Sequence, residues 1–196
     1  MSFPFTCSAF DRPIAPVSCN GAQGFTLLEA LVVLALLGIL VAMAAPAVSG
    51  LSARHQVQAQ AEGFLSSLVL ARSEALRRQQ RVSLCAQAVN QTCDASARWQ
   101  QGWLVFVDAN DNGLREAGEA LIEVHAALPA AVLLDADSTA KAYFSYGSEG
   151  RSASTTGAFM AATWRFCQAS LSEGWQVVSN ALGKPRIEKY APSNCP

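Results

Sequence analysis

Apolar and polar positions divide the chain into an apolar run, an amphipathic stretch and a region of short alternating segments. Residues 30–48 carry no charged side chain, and only Gly38 and Pro46 in this run weaken a helix. A membrane-spanning helix needs about 17–25 predominantly apolar residues. The pattern therefore predicts one transmembrane helix over residues 25–48, preceded by a leader over residues 1–24.

The amphipathic stretch covers residues 49–80 and continues this helix. From residue 57, apolar residues recur at spacings of four and three, which is typical of a helix packed on a globular domain. The predicted inward face contains Val57, Ala61, Phe64, Leu68, Ala71 and Ala75, and Leu65, Val69 and Leu76 are expected to widen it. Glu74 is expected to pair with Arg78 one turn later.

Beyond residue 80 the apolar pattern changes to the period of a strand. Eight segments predict strands: residues 81–87, 99–109, 119–128, 130–136, 141–147, 157–168, 174–180 and 184–190. Short strands at close spacing, without helical patterns between them, indicate antiparallel sheets. Residues 81–196 are therefore predicted to form a β-rich globular head, and the chain belongs to the α+β class.

The composition fits one globular domain plus one apolar segment. The chain has 196 residues and a hydrophobic content of 51%, with a mean hydropathy of +0.21. A polytopic membrane protein is excluded because only one run is long enough to span a bilayer. The net charge of −1 favours no particular partner.

Glu29 lies at the start of the apolar run and needs a compensating partner, because a charge at membrane depth costs about 2.5–3.5 kcal/mol or more. A secretory signal peptide with a cleavage site in "AMAAPA" would explain the run, but it requires a basic n-region. The preceding segment holds only Asp11 and Arg12 as charged residues. An ordinary membrane anchor leaves Gly24, Phe25 and Glu29 unexplained.

The sequence "GFTLLEAL", residues 24–31, resembles the processing and anchor motif of type IV pilins and of the pseudopilins of type II secretion. The resemblance implies that a prepilin peptidase cuts after Gly24 and that Phe25 becomes the N-methylated first residue. A carboxylate in an apolar medium needs a cationic or hydrogen-bonding partner. We therefore expect Glu29 to pair with the Phe25 amine of a neighbouring subunit during assembly. The leader is longer and less basic than is usual for this class.

Three further stretches resemble the GspH/FimT family of minor pilins and pseudopilins: "ARSEALRRQQRVSLC", "GWLVFVDANDNGLREAGEALI" and "SNALGKPR". The resemblance implies a pilin-like fold, with one long helix packed on a β-sandwich-like head. It also implies a single pass through the bacterial inner membrane, with the head in the periplasm before incorporation into a pilus or pseudopilus. The implied partners are other minor and major pilins or pseudopilins, the prepilin peptidase, the inner-membrane assembly platform and membrane lipid.

Three functions are compatible with this family. The first is a structural minor pilin in type IV pilus assembly, and the second is the H-type minor pseudopilin of a type II protein secretion system. The third is a DNA-binding minor pilin for DNA uptake in natural transformation.

The chain has six cysteines, of which Cys7 and Cys19 would be lost with the leader. Disulfides persist outside the cytoplasm, and four cysteines permit three pairings. We favour the pairs Cys85–Cys93 and Cys167–Cys195. Free buried thiols are the alternative.

The stretch "DANDNGLREAGE", residues 108–119, has the spacing of a calcium-binding loop. The candidate ligands are Asp108, Asn110, Asn112 and Glu119. Strands rather than helices are predicted on either side, which favours a hairpin turn in which Gly113 takes a positive φ. No metal site is favoured, and no cofactor is predicted.

Catalysis has little support in the sequence. The chain contains no Gly-x-Ser-x-Gly, His-Glu-x-x-His or phosphate-binding glycine motif. The sequence contains no Cys-x-x-Cys pair, and His55 and His125 stand alone, so a catalytic triad or a zinc site is not expected. We predict that the protein is not an enzyme.

Basic residues cluster in two places, and these clusters are the candidates for DNA binding. They are Arg77, Arg78 and Arg81 at the end of the helix, and Lys184, Arg186 and Lys189 near the C-terminus. Some FimT-type proteins bind DNA through a Gly-Arg-x-Arg motif, and residues 183–186 read Gly-Lys-Pro-Arg. Lysine keeps the charge of arginine but loses its bidentate fork. The alternative is an ordinary charged hairpin.

Overall fold

A computed structural model of the chain describes residues 25–88, 91–94, 96–192 and 195, with the backbone alone for residues 43–49. The predicted leader, including Gly24, lies outside the described residues, and so do the side chains of residues 43–49 within the predicted transmembrane helix. The chain divides into two units, Met1–Met43 and Ala44–Pro196.

Helix α1 spans Leu27–Arg78. Thr26 caps its N-terminus, because its Oγ1 accepts a hydrogen bond from the backbone N–H of Glu29 at 3.2 Å. Threonine followed by glutamate three residues later is the sequence of a capping box. The helix ends before Gln79, which has a positive φ of 54°. Arg77 and Arg78 lie in its last turn, where cations complement the helix dipole.

Within the described part of the chain, no helix is both long enough and apolar enough to cross a membrane.

In the second unit, α1 buries the face that the sequence predicts. Its six predicted inward residues are at most 1% exposed, and Leu65 is half-buried against them. Val69 and Leu76, by contrast, are 52% and 44% exposed, so the prediction that they widen this face was wrong. Consecutive helix residues point about 100° apart at 3.6 residues per turn. Val69 and Leu76 each follow a buried residue directly and so turn away from the core.

In the described part of the second unit, α1 is followed by eight strands, with short 3-10 helices and loops between some of them. They are β1 (Val82–Ala86), β2 (Trp103–Val107), β3 (Leu121–His125), β4 (Leu133–Ala136), β5 (Tyr143–Tyr146), β6 (Ala162–Cys167), β7 (Gly174–Ser179) and β8 (Pro185–Tyr190). They form two four-stranded sheets with the orders β3-β2-β1-β5 and β4-β6-β7-β8. All strand pairs are antiparallel. The predicted α+β, pilin-like class is confirmed.

Phe64 of α1 is at the centre of the core. Its ring lies 4.9 Å from the ring of Trp103 in the first sheet and 4.9 Å from the ring of Trp164 in the second. Trp99 and Phe166 complete the cluster, with centroid distances to Phe64 of 5.6 and 5.8 Å. One helical side chain therefore contacts aromatic residues from both sheets.

Strands β1 and β2 are buried on both faces. On the face away from α1, Cys85, Leu104 and Phe106 form a second, smaller cluster. A strand that is buried on both faces does not alternate between apolar buried and polar exposed side chains. The alternation that the sequence suggests for β2 is therefore an alternation between two buried faces.

Candidate functional site

The N-terminal segment presents an apolar surface on every side. All residues from 25 to 42 are exposed, and Phe25 is 79% exposed. A helix that is apolar all round is normally buried in an apolar medium or against other helices. Glu29 is the only charged residue between residues 25 and 42. It forms no ion pair with any described residue, so its charge is available to a group from another molecule.

Two disulfides stabilise the second unit. Cys85 in β1 bonds to Cys93 with a Cα–Cα distance of 5.6 Å. Cys167 at the end of β6 bonds to Cys195 with a Cα–Cα distance of 5.8 Å. These are the two favoured pairings, and the second links the C-terminal tail to the second sheet.

The two disulfides are expected to contribute unequally to stability, because they close loops of different length. Their sequence separations are 28 residues for Cys167–Cys195 and 8 for Cys85–Cys93. Replacing both cysteines of the longer loop with serine is expected to lower the free energy of unfolding by about 3.5 kcal/mol, against about 2.5 kcal/mol for the shorter loop. Urea unfolding of the full chain under non-reducing conditions measures both values. An equal or reversed order would contradict this account.

The carboxylate of Asp108 is buried at the end of β2 and holds the loop that follows. Asp108 is only 1% exposed. Its Oδ1 accepts from the backbone N–H of Asn112 at 3.0 Å, and its Oδ2 accepts from that of Gly113 at 3.0 Å. The Ser83 hydroxyl also donates to Oδ2 at 2.6 Å and contacts the Ser145 hydroxyl at 2.7 Å. Asp108 therefore joins the loop to β1 and β5.

The remaining candidate calcium ligands also accept hydrogen bonds from the loop itself. Glu119 accepts from the backbone N–H groups of residues 109 and 116 at 2.9 and 3.0 Å. Asn112 accepts from the N–H of residue 114 at 2.7 Å. Gly113 has a φ of 74° and lies against the Tyr143 ring, so a side chain would not fit. This is the geometry of the predicted hairpin turn.

Two glutamates of this loop, Glu116 and Glu119, have opposite pKa shifts. Burial raises the pKa of Glu119. A hydrogen bond from the Asn112 side chain lowers the pKa of Glu116. Among the residues that the structure describes, no three or more His, Cys, Asp or Glu side chains are grouped as metal ligands.

Calcium is expected not to bind this loop at millimolar concentration. Binding would require Asp108, Asn112 and Glu119 to release the N–H donors that they already hold, because calcium needs six to eight oxygen ligands. Isothermal titration calorimetry of the full chain in detergent should show no binding heat. A saturable heat that disappears in Glu119→Gln would contradict this expectation.

The candidate DNA-binding residues at the end of α1 already have partners. Arg77 and Arg78 each approach Glu74 to 2.6 Å, which confirms the expected Glu74–Arg78 pair. Hydrogen bonds from Arg77 and Arg78 lower the pKa of Glu74 to about 2. Arg81 pairs with Asp111 at 2.7 Å and donates to two backbone carbonyls in the segment after β5.

The C-terminal basic residues lie on β8 and on the turn before it. Arg186 approaches Glu188 to 3.3 Å, and Lys189 approaches Glu173 to 4.0 Å. Lys184 is exposed, and its ammonium group contacts no carboxylate of the described residues. Among the described residues, Lys184 is therefore the one candidate of the six without a carboxylate partner.

The β7–β8 turn contacts the end of α1 through an intervening loop. A Cβ placed on Gly183, which has a φ of +70°, would lie 2.5 Å from the carbonyl oxygen of Gly150. A Cβ on Gly150 would lie 3.0 Å from Leu76 of α1. Arg72 also donates to the Gly150 carbonyl at 2.9 Å. The structure thus brings Lys184, in the turn before β8, towards the end of α1. Lys189, by contrast, lines a pocket with Arg54 and His55, several helical turns earlier on α1.

The sequence reasoning missed a polar network between α1 and the first sheet. The indole N–H of Trp103 donates to the Ser67 hydroxyl at 2.9 Å, and Ser67 donates to Glu123 at 2.9 Å. The ring of His125 stacks on Trp103 with centroids 3.7 Å apart. Ser67 follows Phe64 by three residues on the inward face, and this spacing was a signal for its burial.

Two parts of the chain match known protein families. Residues 19–45 match the prokaryotic N-terminal methylation motif. Residues 60–183 match the family described as type II transport protein GspH. No curated protein matches the sequence.

The fold is similar to that of a solved type IV minor pilin. The type IV minor pilin FimU of Pseudomonas aeruginosa PAO1 has 20% identity and a TM-score of 0.53, covering 72% of this chain and 96% of FimU. A second crystal form of FimU has a TM-score of 0.50 and 20% identity, covering 70% of this chain and 98% of that chain. The minor pseudopilin EpsH of the Vibrio cholerae type 2 secretion system has 17% identity and a TM-score of 0.48, covering 71% of this chain and 99% of EpsH.

The capped helix, the paired antiparallel sheets and the methylation motif define a pilin-like protein. Because the family match covers more than half of the sequence, the chain belongs to the GspH family. Its members are structural pilins that assemble with other pilins or pseudopilins. The chain is thus a membrane-anchored minor pilin or pseudopilin of a type IV pilus or a type II secretion system.

Proposed function

We propose that the chain is a minor pilin that is incorporated into a type IV pilus and supports its assembly in a structural role. The observation that carries this proposal is the exposed apolar helix that begins after Phe25 and holds Glu29 as its single charge. Cleavage after Gly24 gives Phe25 a cationic amine, which is then N-methylated. In the fibre, Glu29 of one subunit pairs with the Phe25 amine of a neighbouring subunit.

Before assembly, residues 25–48 anchor the chain in the inner membrane by a single pass, with residues 49–196 in the periplasm. The two disulfides support this location, since such bonds persist outside the cytoplasm. The prepilin peptidase processes the chain, and the inner-membrane assembly platform extracts it from the lipid.

The alternative is an H-type minor pseudopilin of a type II protein secretion system. The description of the matching family favours this alternative, whereas the likeness to FimU favours the pilus. The amine–glutamate pairing operates identically in both systems.

Mass spectrometry of the mature chain tests the shared part of this proposal. We expect the first residue to be phenylalanine carrying one methyl group. A chain that retains residues before Phe25, or that begins elsewhere, would refute the proposal. Deletion of the gene then separates the two systems, because it should reduce surface pili in one case and the secretion of folded proteins in the other.

DNA binding is a second candidate function. It is favoured by the contact that brings the turn with Lys184 towards the end of α1, together with the exposure of Lys184. Lys and Arg bind phosphates without sequence preference, and such binding weakens steeply with salt. A gel shift compares the full chain with the Lys184→Gln/Arg186→Gln variant, using Arg165→Gln, an exposed residue of β6, as a control for charge. Equal shifts for the double variant and the parent would remove these residues from the hypothesis.

A further inference from the structure

A cleft of about 590 Å³ lies beside β4, the edge strand of the second sheet. Strand β4 forms one wall, and residues 96–100 form the opposite wall. This volume lies within the range of about 300–1,000 Å³ that is typical of binding pockets. The residues that line the cleft belong to neither basic cluster.

The free edge of β4 faces this cleft. In an antiparallel pair, residues that bond to the neighbouring strand alternate with residues whose N–H and C=O point away from it. Asp137 is the residue that follows β4. Its N–H donates to the carbonyl of Thr163 in β6 at 3.0 Å, in the same register as the β4–β6 pairs. The odd-numbered residues of β4 therefore bond to β6. The backbone groups of Leu134 and Ala136 point outward, and they have no hydrogen-bond partner within the described residues.

Two cations line the cleft. Arg98 and Lys141 are both exposed, and neither forms an ion pair within the part of the chain that the structure describes. Among the described residues, Asp135 is the only carboxylate that lines the cleft. The cleft thus combines a row of unpaired backbone groups with an excess of positive charge.

We propose that the β4 edge binds an extended acidic segment of a neighbouring pilin-like subunit, which adds a fifth strand to the second sheet. Leu134 and Ala136 present backbone groups about 6.8 Å apart, which is the two-residue repeat of an antiparallel strand. An unpaired edge with this repeat is a template for strand addition. Acidic side chains of the added strand contact Arg98 and Lys141. This inference rests on the proposed role in assembly, because it requires a neighbouring subunit.

Amide hydrogen exchange, measured by NMR on the full chain in detergent, tests the proposal. The chain is compared alone and mixed in turn with each pilin-like subunit that is encoded beside its gene. In the complex, exchange at Leu134 and Ala136 is expected to slow at least about tenfold. The amides of Leu133 and Asp135 already bond to β6 and serve as internal references.

Ala136→Pro provides a matched variant, because it removes one outward N–H and leaves the β6 bonds in place. Proline is tolerated on an edge strand where its missing N–H would face outward. We expect the affinity for the partner subunit to fall about two- to tenfold, whereas Ala136→Ser, which keeps the N–H, should bind normally. If Ala136→Pro fails to fold, the Arg98→Ala/Lys141→Ala variant is used, which should weaken binding and reduce its salt dependence.

Several outcomes would overturn the inference. A complex with unchanged exchange at Leu134 and Ala136 rejects the β4 edge and leaves the assembly role intact. Failure to bind any of the subunits rejects the inference together with the assembly role. Slowed exchange on addition of succinate alone, and not of subunits, would assign the cleft to small anions and would also overturn it.

Discussion

Replacing Glu29 with glutamine is expected to reduce incorporation into the filament on the order of 100-fold or more. Removing one partner of a buried ion pair costs about 3–5 kcal/mol, because the other charge is left uncompensated, and each 1.4 kcal/mol corresponds to about tenfold. In the variant, the Phe25 amine of a neighbouring subunit would lie in an apolar medium without its carboxylate. The measurement is the ratio of filament-associated to membrane-associated protein in sheared cells.

Glutamine is the informative substitution because of the way α1 begins. The backbone N–H of Glu29 is bonded to the Thr26 side chain, and glutamine is also accepted at this position of a capping box. Glu29→Gln therefore removes the charge and preserves the start of the helix. Processing and membrane insertion should be unchanged.

Glu62→Gln is the matched control, since Glu62 is an exposed glutamate of the same helix. It should be incorporated normally. Normal incorporation of Glu29→Gln would end the amine–carboxylate explanation. Equal loss in both variants would point to a general effect of charge on the helix.

The second large effect is expected on the stability of the core of the second unit. Phe64→Ala should lower the free energy of unfolding by about 3–5 kcal/mol, the usual cost of truncating a buried aromatic side chain. Phe64 is fully buried and contacts rings on both sheets, so no single element can move inward to fill the space. Urea unfolding followed by tryptophan fluorescence measures the change, because three tryptophans surround the site.

Val69→Ala is the control for Phe64→Ala. Val69 lies on the same helix but is 52% exposed, so its truncation should change stability by no more than about 0.5 kcal/mol. A loss of less than about 1 kcal/mol for Phe64→Ala would show that the two sheets do not depend on this contact.

The helix and the strands could be predicted because their periods are visible in the sequence. The spacing of Ala61, Phe64 and Leu68 shows the buried face of α1 directly. The alternation in β2 is visible in the sequence. The sequence does not show that both faces of this strand are buried. Sheet order could not be read from the sequence because strand period says nothing about which strands pair.

The candidate site was predictable only where its residues are close in sequence. The residues from Gly24 to Glu29 form a contiguous motif, and Glu74 and Arg78 are one helical turn apart. By contrast, Arg81 pairs with Asp111, thirty residues later, and Ser67 reaches Glu123 across the fold. Such long-range pairs depend on the tertiary structure, so the sequence alone overstated how many basic residues are free to bind DNA.

The position of Phe64 between the two sheets has a consequence for the order of folding. Trp164 and Phe166 follow it by roughly one hundred residues, and contacts of such long range form slowly because a large loop must close first. During synthesis, the inward face of α1 emerges well before β6 is available to cover it. Phe64 therefore stays uncovered until β6 is available, and apolar surface exposed at this stage makes a chain prone to aggregation.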